Sequence, residues 1–257
     1  MADDGLVNRP LVLVTGVGRT VGIGAAVATR LASDGWDVAT TYWTPYDDRM
    51  PWGRQADGPE QVAATIRDRG ARTTAVPADQ SDPAAPASVF DAVENELGTV
   101  TALVMCHCES VDSGLLDTSV ESFDRHYAVN VRASWLLLRE FGERYRGDDG
   151  RGRVVALTSD AVVGNVPYGA TKGALDRVVI AAARELAHLR VSANVVNPGP
   201  VDTGWMTGDL REQIREATPL GRGGTAEDTA ALVSFLLSRE GGWVNGQLLS
   251  CDGGLHV

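Results

Sequence analysis

One stretch constrains this chain more than any other: Leu11-Val12-Leu13-Val14-Thr15-Gly16-Val17-Gly18-Arg19-Thr20-Val21-Gly22-Ile23-Gly24. A short β-branched run empties into glycines and then into a helical pattern, which reads as strand, turn and helix start. Glycines let the backbone turn sharply and approach a ligand, and the free N–H groups of a helix N-terminus attract negative charge. The natural guest of such a turn is a dinucleotide pyrophosphate, although glycines also build ordinary tight loops.

The rest of the sequence alternates between two-residue and helical periodicity. Strands are expected near 10–15, 37–42, 72–77, 100–106, 153–158, 191–196 and 246–250. Helices are expected near 22–34, 60–69, 83–97, 119–129, 130–146, 168–189 and 226–239. An irregular aromatic segment, 43–59, follows the second strand and is longer than most connections. A charged, glycine-rich stretch, 146–152, precedes the fifth strand, and a polar region follows residues 197–200. Strands alternating with helices through right-handed crossovers specify an α/β, doubly wound parallel sheet with its ligand crevice at the carboxyl ends of the strands. With no internal repeat or low-complexity linker, residues 1–257 read as a single domain.

Charge and cysteine content narrow the function classes. The formal net charge of −11 opposes a broad nucleic-acid or anionic-membrane surface, so any phosphate must be held locally. No apolar run approaches the roughly 20 residues of a membrane span. Three cysteines and an acidic Met1-Ala2-Asp3-Asp4 start with no signal-peptide character point to a reducing cytoplasm. Cys106-His107-Cys108 has metal-ligand residue types, but no second Cys/His cluster completes a tetrahedral set, so no metal site is expected. Thiols that fill space fit the pair better.

The strongest chemical signal is Tyr168-Gly169-Ala170-Thr171-Lys172. Four residues apart on a helix, phenol and ammonium share a face, and a nearby positive charge is expected to lower the tyrosine pKa toward neutrality, making it a usable general acid or base. A surface Tyr/Lys pair would look the same in sequence.

Taken with the glycine turn, Asn130 and Thr158-Ser159, the chain resembles the short-chain dehydrogenase/reductase family over nearly its whole length. Asp79 after the third strand, Asn197-Pro198-Gly199-Pro200 with Thr203, and Asp252-Gly253-Gly254 extend the match. The Gly204-Trp205-Met206 run is most similar to 3-oxoacyl carrier-protein reductase-like members. The resemblance implies a Rossmann-type fold and hydride transfer between a nicotinamide cofactor and a carbonyl or secondary alcohol.

It also implies roles. Tyr168 exchanges the proton, Ser159 hydrogen-bonds the substrate oxygen, Lys172 holds the nicotinamide ribose, and Asn130 holds a water that links Lys172 to solvent. Gly16, Arg19, Gly22, Ile23 and Gly24 would line the phosphates and Asp79 the adenine, although a turn-capping carboxylate would look alike. Pro198, Gly199, Val201 and Thr203 would edge the nicotinamide and pyrophosphate, with Tyr168 and Lys172 also touching the cofactor. Relatives usually form dimers or tetramers, so a homodimer or homotetramer is implied. Trp135 and Leu138 are compatible with an interface or with the core.

Three departures stand out. Five residues separate Gly16 from Gly22, a longer variant of the turn. Met105-Cys106-His107-Cys108 replaces the usual Asn-Asn-Ala-Gly, so hydrogen bonds that steady the central sheet must be made differently. The segment between Ser159 and Tyr168 is short, eight residues, yet long enough to bring the two together. A shorter loop predicts a cleft more open on that side, unless the tighter turn places Thr158 or Asp160 nearest the reacting oxygen instead. NADP(H) is expected over NAD(H), because Arg19 lies in the glycine turn and no acidic residue ends the second strand to repel a 2′-phosphate. The alternative is a non-catalytic nucleotide-binding or scaffold protein of the same fold.

Overall fold

The computed structural model describes residues 9–147 and 151–256; the acidic start and residues 148–150 of the glycine-rich stretch lie outside the described residues. Seven strands form one parallel sheet: β1 (Leu11–Thr15), β2 (Asp37–Tyr42), β3 (Thr73–Pro77), β4 (Ala102–Met105), β5 (Arg153–Leu157), β6 (Ser192–Asn197) and β7 (Leu248–Ser250). Their order is β3-β2-β1-β4-β5-β6-β7, which makes the fold the expected Rossmann-type doubly wound sheet. The winding reverses beside β1, and a crevice opens there at the carboxyl ends of β1 and β4.

β1 shows why its sequence is continuously apolar. All five residues are buried, and alternate side chains enter different cores. Leu11 and Leu13 pack with α4 (Ala85–Leu97), α6 (Ala133–Arg144) and α7 (Val166–Glu185). Val12 and Val14 pack with α1 (Ile23–Ser33), α3 (Gly58–Asp68) and α9 (Ala226–Leu237) on the other face. Each fully buried aliphatic side chain contributes about 1.5–3 kcal/mol, so a one-residue slip of β1 would exchange both cores at once. Among the described residues, no helix is long and apolar enough to cross a membrane.

Several expected boundaries move for local reasons. The helix read from residue 83 begins at Ala85, because the Asp82 carboxylate accepts from Ala84 N–H and holds a turn there. α7 begins at Val166, earlier than expected, with Pro167 in its first turn. The break read at 129/130 is a π-helical turn, Ala128–Arg132, joining α5 (Val120–Tyr127) to α6. The irregular 43–59 segment contains α2 (Thr44–Asp48), and the polar region after 200 contains α8 (Gly208–Ala217), capped by Thr207. α8 buries only Ile214, which left its pattern without an apolar face to read. Leu138 belongs to the core, whereas Trp135 is 48% exposed.

The fourth strand ends at Met105, one residue earlier than expected, because the next N–H groups turn to a side chain. Cys106 N–H and His107 N–H both donate to Thr15 Oγ1, at 3.2 and 3.4 Å. The His107 ring then spans the sheet edge: its Nε2–H donates to Val129 O at 3.1 Å, which leaves Nδ1 to accept from the Thr15 hydroxyl at 2.6 Å. These bonds tie the ends of β1 and β4 together at the place where the resemblance leads one to expect Asn-Asn-Ala-Gly. Burial pushes the His107 pKa down to about 3, with Lys172 adding repulsion, so the pin is a neutral imidazole.

A neutral buried histidine ties stability to pH. Below about 6.5 the unfolded ring takes up a proton that the folded ring refuses, so stability is complete above that pH and is lost as pH falls toward about 3. In urea titrations the difference between wild type and His107→Asn should grow in favour of the variant by up to ~1.4 kcal/mol per pH unit across that window. At pH 8, His107→Ala should unfold about 2–3 kcal/mol more easily, since it strands buried partners and leaves a cavity. A pH-independent difference would show that His107 is not held neutral.

Candidate active site

The glycine turn is shaped by contact with the segment after β4. Gly16 has φ +77°, and a Cβ there would stand 2.6 Å from His107 N; one at Gly24 would stand 2.8 Å from Gly16 O. Only glycine fits either position. Gly22 is the N-cap of α1, with no side-chain cap and no acidic residue in the first turn, so the helix's leading N–H groups face the crevice without a side-chain acceptor. Ile23 opens α1 and packs against the core under it.

Arg19 is tied on three sides. Its Nη1 donates to Thr203 O at 2.9 Å, its Nε lies 3.2 Å from Asp47 Oδ1, and its guanidinium stacks 4.8 Å from the Trp52 ring centroid. No acidic residue ends β2, but α2 brings one back: Asp47 is buried and also accepts from Trp52 Nε1 at 2.9 Å. The Arg19 read as free to meet a phosphate is thus ion-paired within the fold.

At the other expected positions, Asp79 Oδ1 accepts from Ser81 N–H at 2.9 Å, the turn-capping arrangement, beside the exit of β3. Next to it, buried Gln80 has neither amide atom hydrogen-bonded among the described residues. Gly199 has φ +63° and is held by Asn197 Oδ1, 3.1 Å from its N–H, placing Pro198 at the turn beyond β6. Val201 is buried and bridges to Gly224, and Thr203 meets Arg19.

Ser159, Tyr168 and Lys172 come together beyond the end of β5. The Ser159 side chain lies near enough to the Tyr168 phenol to act against the rise of its pKa. Thr158 Oγ1 donates to Lys172 O at 3.3 Å, and Asp160 pairs with His256 at 2.9 Å while its charge still reaches Tyr168. Lys172 is buried, donates to Leu157 O at 2.8 Å, and stands 5.5 Å from the Tyr168 ring centroid.

The electrostatics differ from expectation. Tyr168 has its pKa raised, first by burial and then by Cys108, and Ser159 offsets this only in part. Burial is the largest influence on the phenol and outweighs any pull toward neutrality, and it lowers the pKa of Lys172 as well. The phenol is held as an acid. Burial likewise pushes the Cys106 thiol up to about 12.

Asn130 lies in the π-helical turn and is hydrogen-bonded through both of its amide atoms. Its Oδ1 accepts from Glu109 N–H at 2.7 Å, and its Nδ2 donates to Glu109 O and Thr171 Oγ1, both at 2.9 Å. Through these bonds it joins the loop after β4 to the helix bearing Tyr168 and Lys172. Sequence reading missed Glu109 itself. This buried carboxylate takes a two-point pair from Arg49, at 3.0 Å each, and lies 3.3 Å from Arg125. A lone Glu in a polar loop carries no signal of such partners, since Arg49 comes from the inserted segment 60 residues earlier. Among the described residues no three His, Cys, Asp or Glu side chains gather as a metal site.

Comparison with known proteins identifies the family and the fold. A family model described as enoyl-(acyl carrier protein) reductase matches residues 16–256. The chain is 34% identical to an NADPH-dependent aldehyde reductase-like chloroplastic protein of Arabidopsis thaliana, over 94% of this chain and 92% of that one. It superposes on a short-chain dehydrogenase/reductase of Serratia marcescens with a TM-score of 0.86 at 30% identity, covering 96% and 98% of the two chains. A short-chain dehydrogenase of Burkholderia cenocepacia in complex with NADP gives 0.85 at 32% identity, covering 97% and 98%. With these matches over almost all of its length, the chain belongs to the short-chain dehydrogenase/reductase family of oxidoreductases.

Proposed function

We propose that residues 1–257 act as one NADP(H)-dependent oxidoreductase domain that reduces a carbonyl group to a secondary or primary alcohol, with Tyr168 as the proton donor. The observation that carries this reading is Lys172 standing 5.5 Å from the Tyr168 ring centroid, with Ser159 near the same phenol. The crevice suits a dinucleotide: Gly16 and Gly24 leave room only where side chains are missing, α1 begins without a side-chain cap, and buried Gln80 has an unmatched amide beside Asp79. Gly16, Arg19, Gly22, Ile23 and Gly24 would hold the phosphates, Asp79 and Gln80 the adenine, and Pro198, Gly199, Val201 and Thr203 the nicotinamide end, with Tyr168 and Lys172 at its ribose. When bound, the cofactor supplies the hydride.

The chain's own groups do the rest. Tyr168 keeps its proton because burial opposes phenolate, and it releases it to the carbonyl oxygen as negative charge develops there. Ser159 donates to the same oxygen and fixes its place. Asn130, through Glu109 and Thr171, holds the loop and the helix that carry these groups in register. Val162 and Val163, 75% and 94% exposed on the short 160–167 segment, offer an apolar rim to a bulky substrate. NADP(H) over NAD(H) is supported by the Thr41-Tyr42 end of β2 and by relatives named as NADPH-dependent. Exposed Phe123, Tyr127 and Trp135 on α5 and α6 support a homodimer or homotetramer, and three free cysteines fit a cytoplasmic home.

Three outcomes test the reading. Tyr168→Phe should lose at least ~10²-fold in turnover while the NADPH dissociation constant stays within about twofold, and Lys172→Ala should weaken both. Near-native turnover of Tyr168→Phe would remove the acid assignment. Because the Tyr168 pKa is raised, kcat/KM for reduction should stay flat from about pH 6 to 8, and alcohol oxidation should keep rising with pH. A reduction rate that falls through neutrality would contradict a firmly held proton. Catalytic efficiency with NADPH should exceed that with NADH by about tenfold or more, and equal efficiencies would overturn the preference.

A further inference from the structure

We propose that segment 43–57 is a clasp across the cofactor crevice, and that its Asp47 carboxylate sits in the seat of a cofactor phosphate, which must displace it from Arg19 for the dinucleotide to enter. The inference rests on the dinucleotide reading of the crevice.

The segment touches the crevice at three places. At the catalytic end, the Tyr46 hydroxyl donates to Ser110 O at 3.3 Å, close enough to Cys108 and Tyr168 for their charges to act on it. In the middle, Asp47 pairs with Arg19, and its Oδ2 would lie 3.1 Å from a Cβ on Gly18. Again at the catalytic end, Arg49 makes its two-point pair with Glu109 and is close enough to Asp79 to feel its charge. Gln55 Oε1 then accepts from both the N–H and the hydroxyl of Thr20 at 3.0 Å, and Gly58 passes so near that a Cβ there would meet Gly18 O at 2.4 Å. The segment is thus laid directly on the glycine turn.

Asp47 is the part of this clasp that resembles a ligand. It is a buried anion lying on a glycine turn ahead of a helix start without a side-chain cap, and it is neutralised by an arginine and an indole N–H. Those are the surroundings a phosphate seeks. An arriving phosphate can take over Arg19 with at least the negative charge that the carboxylate gives up, while the carboxylate swings out to water. Apparent affinity is then the intrinsic affinity scaled by the fraction of molecules with the clasp open, so weakening the latch tightens binding. Arg19 also reaches Thr203 O, so it remains beside the crevice after Asp47 leaves.

The test compares Asp47→Asn with Asp48→Asn, which makes the same charge change at a neighbouring carboxylate paired on the surface with Arg54 at 3.4 Å. NADPH and NADH dissociation constants are measured by fluorescence, and amide hydrogen exchange across 43–57 is followed without nucleotide. Asp47→Asn should tighten nucleotide binding about tenfold and speed exchange in the segment, whereas Asp48→Asn should change binding less than about twofold. A gain shared by both nucleotides assigns the seat to the diphosphate, and a gain confined to NADPH assigns it to the 2′-phosphate. Arg49→Gln, which opens the second latch, should also speed exchange, and it provides the reading if Asp47→Asn fails to fold. Unchanged exchange in the folded variants, or unchanged or weaker binding by Asp47→Asn while wild type binds nucleotide, would overturn the clasp and leave the cofactor reading standing. Failure of wild type and variants alike to bind either nucleotide would overturn the cofactor reading and the clasp with it.

Discussion

The close approach of the glycine turn to the segment leaving β4 sets the position of everything else at the crevice. Gly16 and His107 pass with no room for a side chain between them, and Thr15 Oγ1 serves two backbone N–H groups and an imidazole at once. Because Thr15 and Met105 are register partners at the ends of adjacent strands, that contact fixes where both strands stop. It also fixes the direction of the next residues, Cys108 and Glu109, toward Tyr46, Asn130 and the arginines. The other nitrogen of His107 reaches Val129 O in the π-helical turn, so the ring carries the registration from the sheet to the α5–α6 layer. A π-turn widens a helix locally, and here it lies where Asn130 engages Glu109 and Thr171.

Glu109 is the next link. A buried carboxylate is costly unless paired and hydrogen-bonded, and this one has two guanidinium partners while Asn130 satisfies both its backbone groups. One of those guanidiniums comes from the inserted segment and the other from α5. The insertion is therefore connected to the helix carrying Tyr168 and Lys172 through side chains that are themselves close-packed. Arg49 and Asn130 thus meet at one residue, Glu109, the first on its carboxylate and the second on its backbone.

Much of this was legible in the sequence, because periodicity is a local property. The β1 run, the glycine turn and the i, i+4 spacing of Tyr168 and Lys172 are each written within a few neighbouring residues, and the sheet followed from them. Ser159 could be placed because eight intervening residues leave enough chain to return to Tyr168. What sequence could not show were pairings set by the tertiary fold. Asp47 lies 28 residues from Arg19, and Glu109 lies 60 from Arg49; nothing nearby marks either carboxylate as buried. α8 escaped notice because a helix with one buried residue has no apolar stripe. The direction of the Tyr168 shift was misread for a related reason: adjacency to Lys172 is visible in sequence, whereas the burial that overrides it is not.

That last correction bears on how the site would handle its proton. Burial acts on both members of the Tyr168/Lys172 pair in the same sense, favouring the neutral form of each. Ser159 stabilises phenolate, and Cys108 and Asp160 oppose it. The balance leaves a phenol that gives up its proton only when a stronger base forms beside it, and an alkoxide developing from a carbonyl is such a base. The reverse reaction would ask the same phenol to begin as phenolate, against burial and against two neighbouring acidic groups. On the proposed reading, the environment of Tyr168 therefore keeps the proton donor loaded across neutral pH, and it does so through the packing that buries the ring.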